Sequence, residues 1–203
     1  MFKFGFELEG FCYDDNNKLI VPPKEYPTDG FPGLVELRTR GPNDLVSAYT
    51  QILMECLEYQ DVTFDVAQDK FDAEQRAILR RRHEVKDCVD IRNLYGRKPR
   101  LLGDRTIASL QINISNEISH EYWDKDRVHH PAVYGLFDIP QVVKNFDEEF
   151  AADISDAGRQ PGEYAIKDHN RLEYRSLPNF TFVTSFGPPA KQFINRIERC
   201  VNY

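Results

Sequence analysis

The chain has 203 residues, of which 41% are hydrophobic and 29% charged, and its formal net charge is -7. That size suits one globular domain, 1–203, with a core that needs no staples. The acidic balance disfavours a general nucleic-acid surface, no apolar run approaches the roughly 20 residues of a bilayer span, and no basic-then-apolar signal pattern opens the chain, so a cytoplasmic protein without membrane contact is expected.

Residues 2–13 alternate in polarity and read as a strand, followed by a polar turn at Asp14–Asn17 and a Pro-rich loop from Pro22 to Pro32. A second strand covers 34–39. After Gly41-Pro42, Asn43 or Asp44 caps a helix to about Gln60, with Leu45, Tyr49, Ile52, Leu53, Cys56 and Leu57 at helical spacing. Val62 to Val66 alternates as a strand, and a helix is expected from about Asp72 to Arg82, then irregular chain through Gly96, Pro99 and Gly103. Thr106 to Ser115 is a clear strand. Asp138, with Gln141 three residues on, opens a helix whose apolar face runs through Val142, Val143, Phe146, Phe150 and Ile154. Residues 163–175 return to strand character, and an amphipathic helix covers about Ala190 to Val201. The order of elements predicts an α+β fold with a mainly antiparallel sheet and no linker.

Four of these strands carry acids, amides and arginines on one side. Side chains two apart on a strand share a face, so Glu7 lies with Glu9, Glu36 with Arg38, Gln111 with Asn113, and Arg171 with Glu173 and Arg175. Adjacent carboxylates repel unless a cation sits between them, and a hard divalent ion is the usual answer. Arginine suits phosphate because its planar fork donates two hydrogen bonds at once. Each string alone equally describes a solvated strand or a surface salt-bridge ladder, and Gln111 and Asn113 equally describe buried amides satisfied by neighbours.

Elsewhere the signals are bland. Cys12, Cys56, Cys88 and Cys200 form no C-x-x-C pair, so zinc is not expected and reduced, partly buried thiols are. His129-His130 before Pro131 reads as a turn, His83 and His169 as surface residues, and Arg97 to Arg100 as a solvated loop. No P-loop is present.

Taken in order, Glu7-Leu-Glu9, Glu36-Leu-Arg38, Gln111-Ile-Asn113 and Arg171-Leu-Glu173-Tyr-Arg175 resemble the motifs of the glutamine synthetase-like carboxylate-amine ligase superfamily, closest to its phage-type amidoligases. Asp29-Gly-Phe-Pro-Gly resembles the glycine-rich lead-in to the second motif, and Arg159, Gly162, Tyr164 and Lys167 the approach to the last. The similarity spans roughly residues 4–180. It implies a curved antiparallel sheet with helices packed on one face, and an ATP- and Mg²⁺-dependent (or Mn²⁺-dependent) enzyme that joins an acid and an amine through an acyl phosphate. Glu7, Glu9, Glu36 and Glu173 would hold metal, with Gln111 as a further ligand. Arg38, Arg171 and Arg175 would contact phosphates, with Arg159 and Lys167 in support and Asn113 orienting substrate. The substrates would be a small-molecule or peptide carboxylate and an amine, in a host cytoplasm if the chain is phage-encoded; relatives often assemble as rings or dimers. The family's His-x-His is Gln111-x-Asn113 here, which keeps open a nucleotide- or ligand-binding relative without turnover. A metal-dependent hydrolase needs only the carboxylates and leaves the arginines without a role.

Overall fold

In the computed structural model, residues 1–12, 22, 24–27, 34–59, 62–63, 91–97 and 108–202 are described. The expected turn at 14–17, the glycine-rich segment 29–33, the helix at 72–82, His83, Cys88 and the basic residues 98–105 lie outside them; so does all but Pro22 and 24–27 of the Pro-rich loop.

Strand β1 (Phe2–Cys12) is an interior strand of the sheet, next to one edge. It pairs antiparallel with β2 (Leu34–Arg38) on one side and β5 (Ser109–Ser119) on the other. The end of β1 also pairs with β3 (Val62–Thr63), the described part of the strand expected at 62–66. Beyond β5 come β10 (Arg171–Pro178), β9 (Glu163–Lys167) and the short β4 (Arg92–Asn93), all antiparallel. The order is β2-β1-β5-β10-β9-β4, and β8 (Val133–Gly135) pairs with the far end of β5. The protein is therefore α+β with a mainly antiparallel, open sheet.

The even positions of β1 explain which face is buried under helices. Phe4, Phe6 and Leu8 join Ile112 and Ile114 of β5 and Leu172 and Tyr174 of β10 in one apolar layer. Helix α1 (Leu45–Glu58) adds Ala48, Tyr49 and Ile52; α2 (Ile139–Glu149) adds Val142, Val143 and Phe146; α5 (Ala190–Val201) adds Phe193 and Ile197. Aromatic rings knit the layers: Phe182, in the short α4 (Phe180–Val183), lies 5.1 Å from Tyr49 and 5.8 Å from Phe193, centre to centre.

Both expected helix starts are capped by aspartate. Asp44 accepts from the Ser47 backbone N–H at 2.9 Å, and Asp138 from that of Gln141 at 3.0 Å. Gln141 does not complete a capping box; its amide donates to Asn145 instead, at 2.7 Å. The helix predicted to run through Ile154 breaks at Phe150, and α3 (Ala151–Asp156) follows. The strand read over 163–175 is two strands. Between them Asp168–Asn170 makes a 3₁₀ turn in which His169 and Asn170 adopt left-handed backbone, with φ of 60° and 57°. No glycine or proline marks this turn, which is why the spacing alone misses it. His129-His130 is likewise a strand, β7 (His129–His130), paired with β6 (Tyr122–Trp123). Asp124 builds their turn by accepting the N–H groups of Asp126 and Val128, each at 2.9 Å.

One buried carboxylate ties α2 to the sheet. Asp147 accepts from the Tyr174 hydroxyl at 2.6 Å, the Gly162 N–H at 2.8 Å and the Tyr95 hydroxyl at 2.8 Å. Gly162 has φ of +80°, and a Cβ there would stand 2.8 Å from the Tyr95 ring, so the junction excludes other residues. Burial raises the Asp147 pKa, and the three donors oppose that. Replacing it strands buried donors at about 1–3 kcal/mol each. Asp147→Ala is expected to lose about 3 kcal/mol in urea unfolding, with part of the loss recovered in the background of Tyr174→Phe, which has no hydroxyl to strand.

Candidate functional site

The odd positions of β1 face the other way, and the register lines them up with the polar residues of three neighbours. Glu7 stands opposite Arg38 on β2 and Gln111 on β5; Glu9 stands opposite Glu36; Glu173 on β10 stands opposite Asn113. Four segments distant in the chain thus deliver Glu7, Glu9, Glu36, Arg38, Gln111, Asn113, Arg171, Glu173 and Arg175 to one face of one sheet. This face is largely closed to solvent: Glu36, Gln111, Asn113 and Glu173 are all buried, as are Ser109 and Ser115.

Buried charges must be paired or neutralised, and this face does both. Glu36 is held by Arg38, whose Nε and Nη2 both stand 2.5 Å from Glu36 Oε1. Glu7 accepts from Asn113 Nδ2 at 3.1 Å, and Arg38 Nε lies 4.0 Å from it. Glu9 accepts from the Ser109 backbone N–H at 2.7 Å and from Gln111 Nε2 at 3.5 Å. Glu173 pairs with Arg175 and lies 3.6 Å from Lys167 Nζ. Asn113 is a relay, donating to Glu7 while accepting from Arg171. Ser109 was not legible as a partner, because its contribution is a backbone N–H that any residue has.

The acidic end remains short of positive charge. Burial first, then the Glu9 and Glu7 carboxylates, push the Glu36 carboxyl from 4.5 up to about 8, with Arg38 opposing. Arg175 shows the converse. Burial works against its charge, yet Glu173 and Glu9 raise its pKa further and hold it protonated.

Arg159 and Lys167 differ from the sequence expectation in kind. Arg159 donates to the backbone carbonyls of Ser176 at 3.0 Å and Arg175 at 2.6 Å. These carbonyls lie where β10 shifts register against β5, between Tyr174 and Leu177, so Arg159 braces the irregularity that carries Arg175. Burial lowers its pKa. Lys167 serves Glu173.

Two observations bear on a divalent ion. The Gln111 Oε1 atom is buried without a hydrogen-bond partner, close to Glu9, and Asn179 Oδ1 is orphaned too, while Asn179 Nδ2 donates to the Glu9 carbonyl at 3.1 Å. An unpaired buried amide oxygen and three neighbouring carboxylates are the hard-donor set that Mg²⁺ takes. Against this, among the described residues no three His, Cys, Asp or Glu side chains are gathered around one point ready for an ion. The oxygens fit in kind; their side chains are engaged with arginine, amide and backbone donors. His129 and His130 pair with Glu121 and Asp124 at 2.7 and 3.1 Å, on a hairpin apart from this face.

The raised Glu36 pKa makes stability fall as pH rises. The folded protein holds a proton on Glu36 that the unfolded chain releases near 4.5, so the contribution is complete below that pH and is lost through about 8. Glu36→Gln is expected to be close to the parent at pH 5 and to exceed it at pH 9 by several kcal/mol, since each pKa unit of the shift corresponds to about 1.4 kcal/mol; chemical denaturation at the two pH values reads this. No protein-family model, curated protein or solved structure matches this chain.

Proposed function

We propose that this polar face is the floor of an ATP-dependent, ADP-forming carboxylate-amine ligase, on a sheet of the glutamine synthetase-like kind. The observation that supports the reading is the convergence of Glu7, Glu9 and Glu36 with Arg38 and Arg175 on adjacent strands, in the chain order that the resemblance implies. Such a mixture is suited to phosphoryl transfer, where catalysis consists mostly of positioning and charge neutralisation.

In this reading the substrate carboxylate attacks the terminal phosphorus of ATP, and ADP leaves. The amine then attacks the acyl phosphate carbon, phosphate leaves with the C–O bond electrons, and the amide forms with loss of a proton. Glu7, Glu9, Glu36, Glu173 and the Gln111 oxygen would hold Mg²⁺ or Mn²⁺, which would supply charge neutralisation at the phosphates. Arg38, more than half exposed and ion-paired with Glu36, would contact a transferring phosphoryl group. Arg175 is held by Glu173 at a fixed position on the braced part of β10, which favours orientation over movement. Asn113 links Glu7 to Arg171 and so couples the acidic strands to β10.

The alternative is a ligand-binding relative without turnover. The double engagement of Glu173 by Arg175 and Lys167 favours it, because that carboxylate is already neutralised within the protein.

A screen of amino acids and polyamines, each with a range of small acids, for amine-stimulated ADP release tests the ligase reading. At least one combination is expected to respond, and Glu7→Gln and Glu173→Gln are each expected to reduce the response at least about 100-fold, the scale for losing a group that stabilises transition-state charge, while circular dichroism stays unchanged. Undiminished turnover in both variants would remove these assignments; ATP binding by calorimetry with no ADP in any combination selects the alternative. Independently of activity, Mg²⁺ is expected to raise the thermal midpoint more at pH 8 than at pH 6, because protons and the ion compete for Glu36.

A further inference from the structure

Cross-strand register arranges the polar face in rows. Residues two apart on a strand are separated by roughly 7 Å, so successive rows have that spacing. Lys3 pairs with Ser115, and Arg171 falls level with them because its neighbour Leu172 pairs with Ile114. Gly5, Asn113 and Glu173 form the next row, followed by Arg38, Glu7 and Gln111, and then by Glu36 and Glu9. One end of the face is basic and the other acidic.

A cleft of about 250 Å³ opens over Gly5 at the basic end, lined by Lys3, Arg38, Tyr134, His169 and Arg171 among others. Gly5 sits in the middle of β1, an interior strand, where glycine weakens pairing and marks a close approach. Its φ is not positive, so the backbone does not require glycine there. A Cβ would stand 3.0 Å from Thr39 Oγ1, which accepts from the Phe6 N–H, so the approach of Thr39 accounts for the residue. The effect is a floor without a side chain.

Arg171 and Lys3, two of the cations lining this cleft, make few hydrogen bonds to the described residues. Arg171 gives one N–H to the Asn113 amide oxygen, and among the described residues no carboxylate pairs with it. Lys3 is mostly buried, with its Nζ 3.8 Å from Glu117 Oε2, an oxygen that receives no hydrogen bond. Glu7 and Asp168 also line the cleft; Glu7 is engaged by Asn113 and neighbours Arg38. Tyr134 and His169 stack at 5.0 Å, forming a flat wall beside the left-handed turn.

An unpaired guanidinium and an ammonium that share a cleft form a seat for an oxyanion. Size then decides which kind. Pockets for drug-sized ligands run from about 300 to 1,000 Å³, so a cleft of 250 Å³ takes a small acid and is too small for a nucleoside triphosphate. We propose that the cleft over Gly5 binds a small carboxylate- or phosphate-bearing molecule, with its oxyanion on Lys3 and Arg171 and its body against Tyr134. This assigns Arg171 to a small anion instead of to nucleotide phosphates. The inference goes beyond the ligase reading and does not depend on it.

Calorimetry on the full chain without nucleotide tests the proposal, using glutarate, inorganic phosphate, the neutral glutaramide, and ATP with Mg²⁺ as probes. Glutarate or phosphate is expected to bind and glutaramide not to; the anion that binds identifies the carboxylate or the phosphate source. Lys3→Gln and Arg171→Gln should each weaken that anion at least about tenfold, the scale of one charge-assisted hydrogen bond, with circular dichroism unchanged at the temperature of the titration. Gly5→Ala should weaken it as well; Lys3→Gln keeps the test decisive if Gly5→Ala disturbs Thr39 and the fold. No binding of either anion at tens of millimolar, equal binding by the parent and both charge variants, or a matching loss of ATP affinity in Lys3→Gln would each overturn the proposal. Anion binding alongside a complete absence of ADP release would leave the cleft standing and remove the ligase.

Discussion

The pairing of β1 with β5 is the constraint on which the rest of the structure depends. Phe4, Phe6 and Leu8 must face the helices, and strand parity then sends Lys3, Gly5, Glu7 and Glu9 to the other side. A slip by one residue would bury carboxylates among phenylalanines and expose the core, so the register is strongly specified. Once Glu7 is opposite Gln111, the positions of Asn113, Glu173 and Arg171 follow from the next strand in turn.

The same constraint creates an electrostatic debt on the polar face. Three glutamates on two adjacent strands receive one arginine directly, and the shortfall appears as a carboxyl that holds its proton to about 8. At the opposite end the imbalance reverses, and Arg171 has an amide where a carboxylate would be expected. Arg38 and Arg175 each reach a carboxylate one row away, Glu36 and Glu173, while among the described residues no carboxylate pairs with Arg171. A cation left in that state has interaction energy to offer an anionic ligand.

Much of this was legible in the chain because alternation is a local signal. The strands at 2–12 and 34–38, residues 109–115 of the strand that runs on to Ser119, the helix at 190–201, and the helix starts at 43 or 44 and at 138 follow from spacing and side-chain chemistry. Sheet order is not local, so alternation could group Glu7 with Glu9 but could not say that Glu36 and Gln111 flank them. Three departures have physical causes. Asp168-His169-Asn170 turns tightly with left-handed backbone at residues other than glycine, which leaves no glycine or proline to read. Phe150 continues the apolar stripe of α2 although the helix breaks there, since packing against Phe146 and Phe193 keeps the side chain in line. Arg159 carries the charge of a phosphate ligand, yet two backbone carbonyls in an irregular stretch of β10 claim its donors. Lys3, Tyr134 and His169 form no motif at all, because β1, β8 and the 168–170 turn bring them together only in three dimensions.

The long sequence separation between β1 and its partner β5 has a consequence for biosynthesis. β1 leaves the ribosome well ahead of its inner neighbour, which spans Ser109–Ser119, and of the strand beyond, which spans Arg171–Pro178. During translation a greasy ribbon bearing Phe4, Phe6 and Leu8 therefore waits for these partners while the intervening chain is being made. Such high contact order slows folding and prolongs exposure of sticky surface. Recombinant yield should consequently respond to growth temperature and to chaperone supply more than the modest size of the chain would suggest.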